Sequence, residues 1–187
     1  PKPSSSASDV YKRQAYNALR EGHFNDDYFE SWKSGMTGYP MLDACMRALT
    51  VTGWLNFRMR AMVMSFASHH LWLHWRKPAL HLANLFTDYE PGIHYSQVQM
   101  QSGTTGINAI RIYNPIKQGI DHDPEGIFIR RWLPELREMD QEFIHMPWQA
   151  ASQLNGYPMP IVDEKTARKS AADKLYGLRK NNTVHKD

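Results

Sequence analysis

Asp88 and Glu90 stand two residues apart in a polar run, TDYEPGIHYSQVQMQSGTTG, at positions 87–106. In an extended segment residues i and i+2 point the same way, so this spacing presents two carboxylates together. Paired carboxylates can act as general acid and base. They can also take cationic partners, and Arg58 and Arg60 lie upstream in a segment with helical pattern. An arginine meeting a carboxylate there would make one polar wall. A surface ion pair is the plainer reading, and no third group defines an acid–base reaction.

His69, His70, His74 and His81 invite a metal reading, because His70 and His74 are four apart and share a helix face if the helix is continuous. No H-E-x-x-H and no cysteine partner accompanies them, so satisfied or surface histidines are favoured and no metal is expected. Cys45, the single cysteine, falls on an apolar stripe and reads as a core residue. Ser65 has no nucleophile-elbow context. The SGTTG turn at 102–106 lacks the lysine of a phosphate loop. Trp32, Trp54, Trp72 and Trp75 are dense enough to pack a core or to pass electrons, and spacing does not separate the two uses.

These groups need a scaffold, and the pattern predicts an all-α one. Pro40 can open a helix after Gly38–Tyr39, with Asp43 favouring its dipole and Gly53 ending it. A longer helix is predicted from about Trp54 to Trp75, broken by Pro78, and a short one from Ala79 to Phe86. Residues 87–106 read as a long loop, and loops of that length are usually functional or disordered. The segment 110–114 is at most a short extended piece. Asp123 or Pro124 starts another helix that Pro134 interrupts, and Asp163 can cap a last one to about Lys180.

The chain has 187 residues, 42% hydrophobic and 22% charged, which fits a globular domain. A net charge of +3 permits a nucleic-acid partner without demanding one. No apolar run is long enough for a membrane span, and the start lacks the apolar core of a signal peptide. One cysteine excludes a disulfide framework and fits a reducing compartment, so the cytoplasm is the expected location. Residues 1–14, PKPSSSASDVYKRQ, differ from the rest and read as a disordered or non-native tail. The expected domain is residues 15–187.

Several segments, taken in order, resemble one family. WKSGMTGYPMLDACMRAL (32–49), GWLNFRMR (53–60), SFASHHLWLHWR (65–76), DYEP (88–91), TGINAIRIYNPIKQGIDHDPEGIFIRRWLPEL (105–136) and PIVDEKTARKSA (160–171) are similar to successive motifs of the photolyase and cryptochrome flavoproteins. Each motif alone is weak; six in order at fitting spacings are specific. The resemblance covers roughly residues 24–180. It implies a partial helical FAD-binding domain, the C-terminal part of the family's flavin domain. The N-terminal antenna domain and the front of the flavin domain are expected as a missing N-terminal part of the same protein.

The resemblance implies FAD as cofactor and damaged DNA as partner. In the family, light excites reduced FAD, which lends an electron to a pyrimidine dimer flipped out of DNA; cryptochromes use the flavin for signalling instead. Asp88 matches the acidic anchor of the flavin site and Arg60 the arginine paired with it. Glu90 replaces a second aspartate, and Pro91 follows it in the same motif. Arg58 and Arg111 match positions facing DNA phosphates, Trp75 the middle tryptophan of the photoreduction chain, and Trp32 a tryptophan close to the flavin. There are departures. His94 stands where the family has an asparagine beside flavin N5, and a histidine there would make flavin redox state pH-sensitive. Val98 and Met100 replace a tryptophan pair, Phe57 replaces an asparagine touching cofactor and substrate, and Ala61 replaces a methionine of the lesion pocket. No distal tryptophan precedes Trp32, so the relay is broken and another route would run through Trp72, Tyr89 or Tyr95. Light-driven repair is the favoured expectation. A cryptochrome-type photoreceptor and a non-catalytic helical DNA-binding or interaction module are the alternatives, and the chain alone is expected to be inactive.

Overall fold

The computed structural model describes residues 16, 18–22, 24–105 and 109–184. The predicted tail at 1–14 lies outside the described residues. Helices account for the described elements and no strand occurs among them, in agreement with the all-α expectation. We number the α-helices α1 (Asp26–Ser34), α2 (Pro40–Thr52), α3 (Phe57–Ser65), α4 (Arg76–Leu85), α5 (Pro91–Gln101), α6 (Pro115–His122), α7 (Ile127–Trp132) and α8 (Glu164–Val184).

Helix α2 is the centre of the molecule. Met41, Leu42, Ala44, Cys45, Met46, Ala48 and Leu49 are all buried, so nearly its whole circumference is covered. Helices α1, α3, α6 and α7 pack around it. Pro40 occupies the first turn, where its missing N–H costs nothing. Gly53 ends the helix in the left-handed conformation at φ 69°, its N–H bonding the carbonyl of Leu49.

Asp43 does more than favour the helix dipole. It is fully buried and folds back to accept the backbone N–H groups of Thr37 and Gly38 and the Thr37 hydroxyl. It also accepts the hydroxyl of Tyr157, 114 residues along the chain. Gly38 lets the chain pass here: at φ 83° a Cβ would lie 2.5 Å from the backbone of Met159 and Pro160. One carboxylate thus ties the start of α2 to the segment leading into α8. Asp163 then caps α8 by accepting the Thr166 N–H at 2.9 Å.

The predicted 54–75 helix is three pieces. Asn56 caps α3 by accepting the Met59 N–H. The helix then widens into a π-turn over Phe66–His70 and stops. Trp72 follows at φ 54°, rare for a bulky residue. His70 and His74 therefore share no helix face. Pro78 lies inside α4 rather than ending a helix, because in a first turn its absent N–H has no partner to lose.

The expected loop at 87–106 is largely helix. Glu90 caps α5 with its own carboxylate on the Ile93 N–H at 2.7 Å, and Pro91 opens the helix. The segment 110–114 is irregular, held where the Ser65 hydroxyl donates to the Arg111 carbonyl and accepts the Tyr113 N–H.

Burial raises the Asp43 carboxyl to about 6, only partly opposed by its donors on Thr37, Tyr157 and Gly38. An unfolded aspartate titrates near ~3.9, so the folded state holds this proton more tightly. The stability Asp43 contributes is therefore full below about pH 4 and falls as pH rises to about 6, by an amount on the order of 3 kcal/mol. Asp43→Asn mimics the protonated acid, and relative to it wild-type melting temperature should decline across that window and run parallel above it. Asp43→Ala strands buried donors on Thr37, Gly38 and Tyr157 and should cost at least about 3 kcal/mol in denaturant unfolding.

Candidate functional site

Helices α3, α4 and α5 enclose a cleft of about 180 Å³. Its walls are apolar, from Ala61, Met64, Leu82, Phe86 and Val98. Its polar lining groups are Arg60, Asp88, Glu90, His94, Gln97 and Gln101.

Arg60 is the best-held of these. Its Nε donates to the Leu55 carbonyl at 2.7 Å, and its Nη2 reaches both oxygens of Asp88 at 2.8 and 2.9 Å. The guanidinium lies 4.1 Å over the Phe86 ring. The hydrogen bond from Arg60 holds the Asp88 carboxyl below the usual range, so the pair is charged at neutral pH. Asp88 and Glu90 do not work as a carboxylate pair. Both line the cleft, but one is neutralised by Arg60 and the other is spent on capping α5.

His94 is half-buried and its Nε2 donates to the Ala79 carbonyl at 2.8 Å. That bond fixes the neutral tautomer with Nδ1 as the lone-pair nitrogen. Burial lowers its pKa, the Ala79 bond raises it and Arg60 lowers it again, for a net position below the ordinary 6.5. The pH-sensitive switch expected of this residue is thus displaced: His94 is uncharged at pH 7 and stays so on going higher. Gln97 adds an acceptor, since its Oε1 is buried without a hydrogen-bond partner.

The other sequence-derived positions divide. Phe57 and Ala61 line the cleft, the first 60% exposed at its rim and the second buried. Pro91 opens α5 without lining the cleft. Met100 is half-buried and Arg111 exposed, and neither reaches the cleft. Arg58, next to Phe57, faces a different groove. Trp32 is fully buried on the far side of α3, its Nε1 donating to the Val63 carbonyl, with Phe29 stacked on it and His81 edge-on. Trp75 is almost buried and stacks on His74.

Of the alternative electron routes, Trp72 is disfavoured. Arg20 and Lys174 lie 4.4 and 4.3 Å from its ring, and two adjacent cations oppose removal of an electron. Tyr89 lines the cleft and is ring-to-ring with His94 at 5.4 Å and Tyr95 at 6.4 Å. Among the described residues no His, Cys, Asp and Glu group could hold a metal ion.

Sequence reasoning missed what positions α5. Arg20 donates to the Ser102 carbonyl at 3.0 Å and to Nδ1 of His69 at 3.3 Å, and His69 Nε2 donates to the Gln101 carbonyl at 3.0 Å. Burial and then Arg20 push His69 down to about 3, so it is the neutral relay this network needs. Arg20 and His69 lie 82 and 32 residues from the carbonyls they bind, so no local signal in the sequence marks them.

The geometry fits an aromatic ring system with a polar edge. Apolar walls suit the ring faces, and a carboxylate, a cation and an unpartnered amide oxygen suit an edge bearing both N–H and carbonyl groups. At about 180 Å³ the cleft holds one ring system and not a whole dinucleotide.

Comparisons with known proteins agree. The model of the FAD-binding domain of DNA photolyase matches residues 3–176. Deoxyribodipyrimidine photo-lyase of Escherichia coli is 38% identical over 149 residues, which is 77% of this chain and 32% of that protein. Cryptochrome-2 of Arabidopsis thaliana is 38% identical over 164 residues, 82% of this chain and 27% of that protein. The crystal structure of an archaeal photolyase from Sulfolobus tokodaii with two FAD molecules superposes with a TM-score of 0.77 at 30% identity, covering 94% of this chain and 45% of that one. The chain spans about a third of the length of the curated relatives it matches. It belongs to the photolyase and cryptochrome family and falls within that family's FAD-binding domain.

Proposed function

We propose that this chain is the C-terminal part of the helical FAD-binding domain of a light-driven DNA-repair flavoprotein, a lyase acting on pyrimidine dimers. The remaining walls of the cofactor site come, in this reading, from a preceding part of the same protein, and the location is the cytoplasm. No helix among the described residues is long and apolar enough to cross a membrane.

The observation that carries the reading is the Arg60–Asp88 pair lining an otherwise largely apolar cleft. Reduced FAD, when bound, supplies the light-driven electron that opens the dimer and takes it back. The chain's own residues do the rest. Asp88 would hold the ring by accepting an N–H at its edge, since the single Arg60 Nη2 leaves acceptor capacity on both carboxylate oxygens. Arg60 keeps a fixed positive charge beside the ring, which favours the reduced, anionic form. His94 contributes a neutral lone pair, and the walls from Met64, Leu82 and Val98 exclude water. Arg58 is exposed, as contact with DNA phosphate requires.

A photoreceptor without repair activity is the second reading. It is favoured by the lining: Phe57, Ala61 and Val98 stand in the cleft at positions where the family resemblance leads one to expect an asparagine, a methionine and a tryptophan for the lesion.

Two outcomes are expected of the protein that carries this chain. Asp88→Ala and Arg60→Ala should each lower the flavin retained on purification at least tenfold, read as absorbance, with helical circular dichroism unchanged because both side chains are partly exposed. Retention at the wild-type level in both variants would remove the pair from the cofactor. With flavin reduced, dimers in ultraviolet-irradiated DNA should disappear in light and persist in the dark. A light-dependent flavin spectrum with no loss of dimers would replace repair with the photoreceptor reading.

A further inference from the structure

The first turn of α3 separates two cavities. Arg60 and Ala61 face the cleft described above, whereas Arg58 and Met59 line a second and larger groove of about 790 Å³ on the other side. Phe57, 60% exposed, lines both and forms the ridge between them.

The second groove has its own chemistry. Trp54 stands 55% exposed at one end, and its turn is fixed where the Thr52 hydroxyl accepts the Trp54 N–H. Trp132 lies half-buried in α7, with the Arg131 guanidinium 5.4 Å from its ring centre. Arg58 and Arg131 are exposed, and neither has a carboxylate partner among the described residues. His122 comes from the end of α6, and no aspartate or glutamate lines the groove.

One exposed and one half-buried indole beside unpaired arginines, with no acid lining the groove, match one class of ligand: a polyanion carrying flat rings. Unpaired nucleic acid is bound in this way, by cations that track phosphates and aromatic side chains that stack bases without regard to sequence. A paired duplex offers phosphates but hides its ring faces. A small aromatic anion would need fewer cations and less space.

The geometry points to the groove as a binding site for unpaired nucleotides of a DNA strand, with Trp54 and Trp132 as stacking platforms and Arg58 and Arg131 on the phosphates. The inference rests on the reading of the chain as acting on DNA. It adds to that reading a division of labour across Phe57. A base extruded from the helix leaves neighbours without their stack, and a groove beside the cleft holds them while the cleft is occupied.

The experiment is titration of the protein that carries this chain with a short single-stranded oligothymidylate and with a blunt duplex of equal length, following tryptophan fluorescence. The single strand should quench fluorescence and bind more tightly than the duplex. Trp54→Ala should weaken single-strand binding by about tenfold to a hundredfold. Arg131→Gln should weaken it while reducing the slope of log affinity against log salt by about one. Both side chains are exposed, so circular dichroism should be unchanged. Wild-type affinity in both variants, equal affinity for strand and duplex, or no binding of either by the wild type would each overturn the proposal. Dimer loss in light with oligothymidylate binding unaltered by Trp54→Ala overturns the groove and leaves repair standing. Binding that depends on Trp54 in a protein that spares dimers in light supports the groove and sinks repair.

Discussion

Helix α5 has almost no apolar face with which to hold itself in place, and the cleft exists only while it stays there. Val98 and Gln101 are its only buried residues. Polar contacts at its two ends do what burial does elsewhere. At the start, Glu90 satisfies the Ile93 N–H that would otherwise lack a partner. In the middle, His94 reaches across to the Ala79 carbonyl of α4. At the end, His69 and Arg20 take the carbonyls of Gln101 and Ser102. The last set is buried, so loss of one member leaves a stranded polar group and not a solvated one. Rigidity at the cleft is thereby transferred to a network near the π-turn, away from the ligand.

That arrangement explains why the Arg60–Asp88 pair is built as it is. An exposed ion pair is worth only about 0–1 kcal/mol to folding, so stability is a weak reason for it. Arg60 is also fixed by the Leu55 carbonyl and by the Phe86 ring. A long flexible side chain held at three points is preorganised, and the entropy of ordering it is already lost before any ligand arrives. Asp88 is then held by Arg60 on one side only, with acceptor capacity left toward the cleft.

How much of this was legible in the sequence depends on the range of the signal. Gly53, Pro40 and Asp163 act locally, through caps and first turns, and were readable as such. The meeting of Arg60 with Asp88 was inferable as a possibility from residue type, and the family motifs gave it a register. Helix α5 was hidden because its cap is a glutamate, outside the usual Ser, Thr, Asp and Asn set, and because its residues lack helical apolar spacing. The break at residues 66–75 was hidden for the opposite reason. The apolar and aromatic pattern there continues, and the element that packs on the π-turn is α8, with Ala171 and Leu175 buried, about a hundred residues further along the chain. Asp43 looked like a dipole residue because its partner Tyr157 lies 114 positions away.

The two histidines around α5 show how one residue type is set to one protonation state by different means. His69 is excluded from water and faces a permanent cation, so the charged form is opposed twice. His94 is only half-buried, and its bond to Ala79 favours the charged form, yet desolvation still prevails. Both are neutral, and in both the tautomer is dictated by a backbone carbonyl. The consequence for the cleft is electrostatic. With His94 neutral, the fixed charges lining the cleft are those of Arg60 and Asp88, which are salt-bridged to each other, and of the Glu90 carboxylate that caps α5. A ring system entering the cleft meets an oriented dipole, with the Arg60 guanidinium at its positive end. Such a site distinguishes ligands by where donors, acceptors and charge lie along an edge, and Arg60 is the group that faces an edge bearing negative charge.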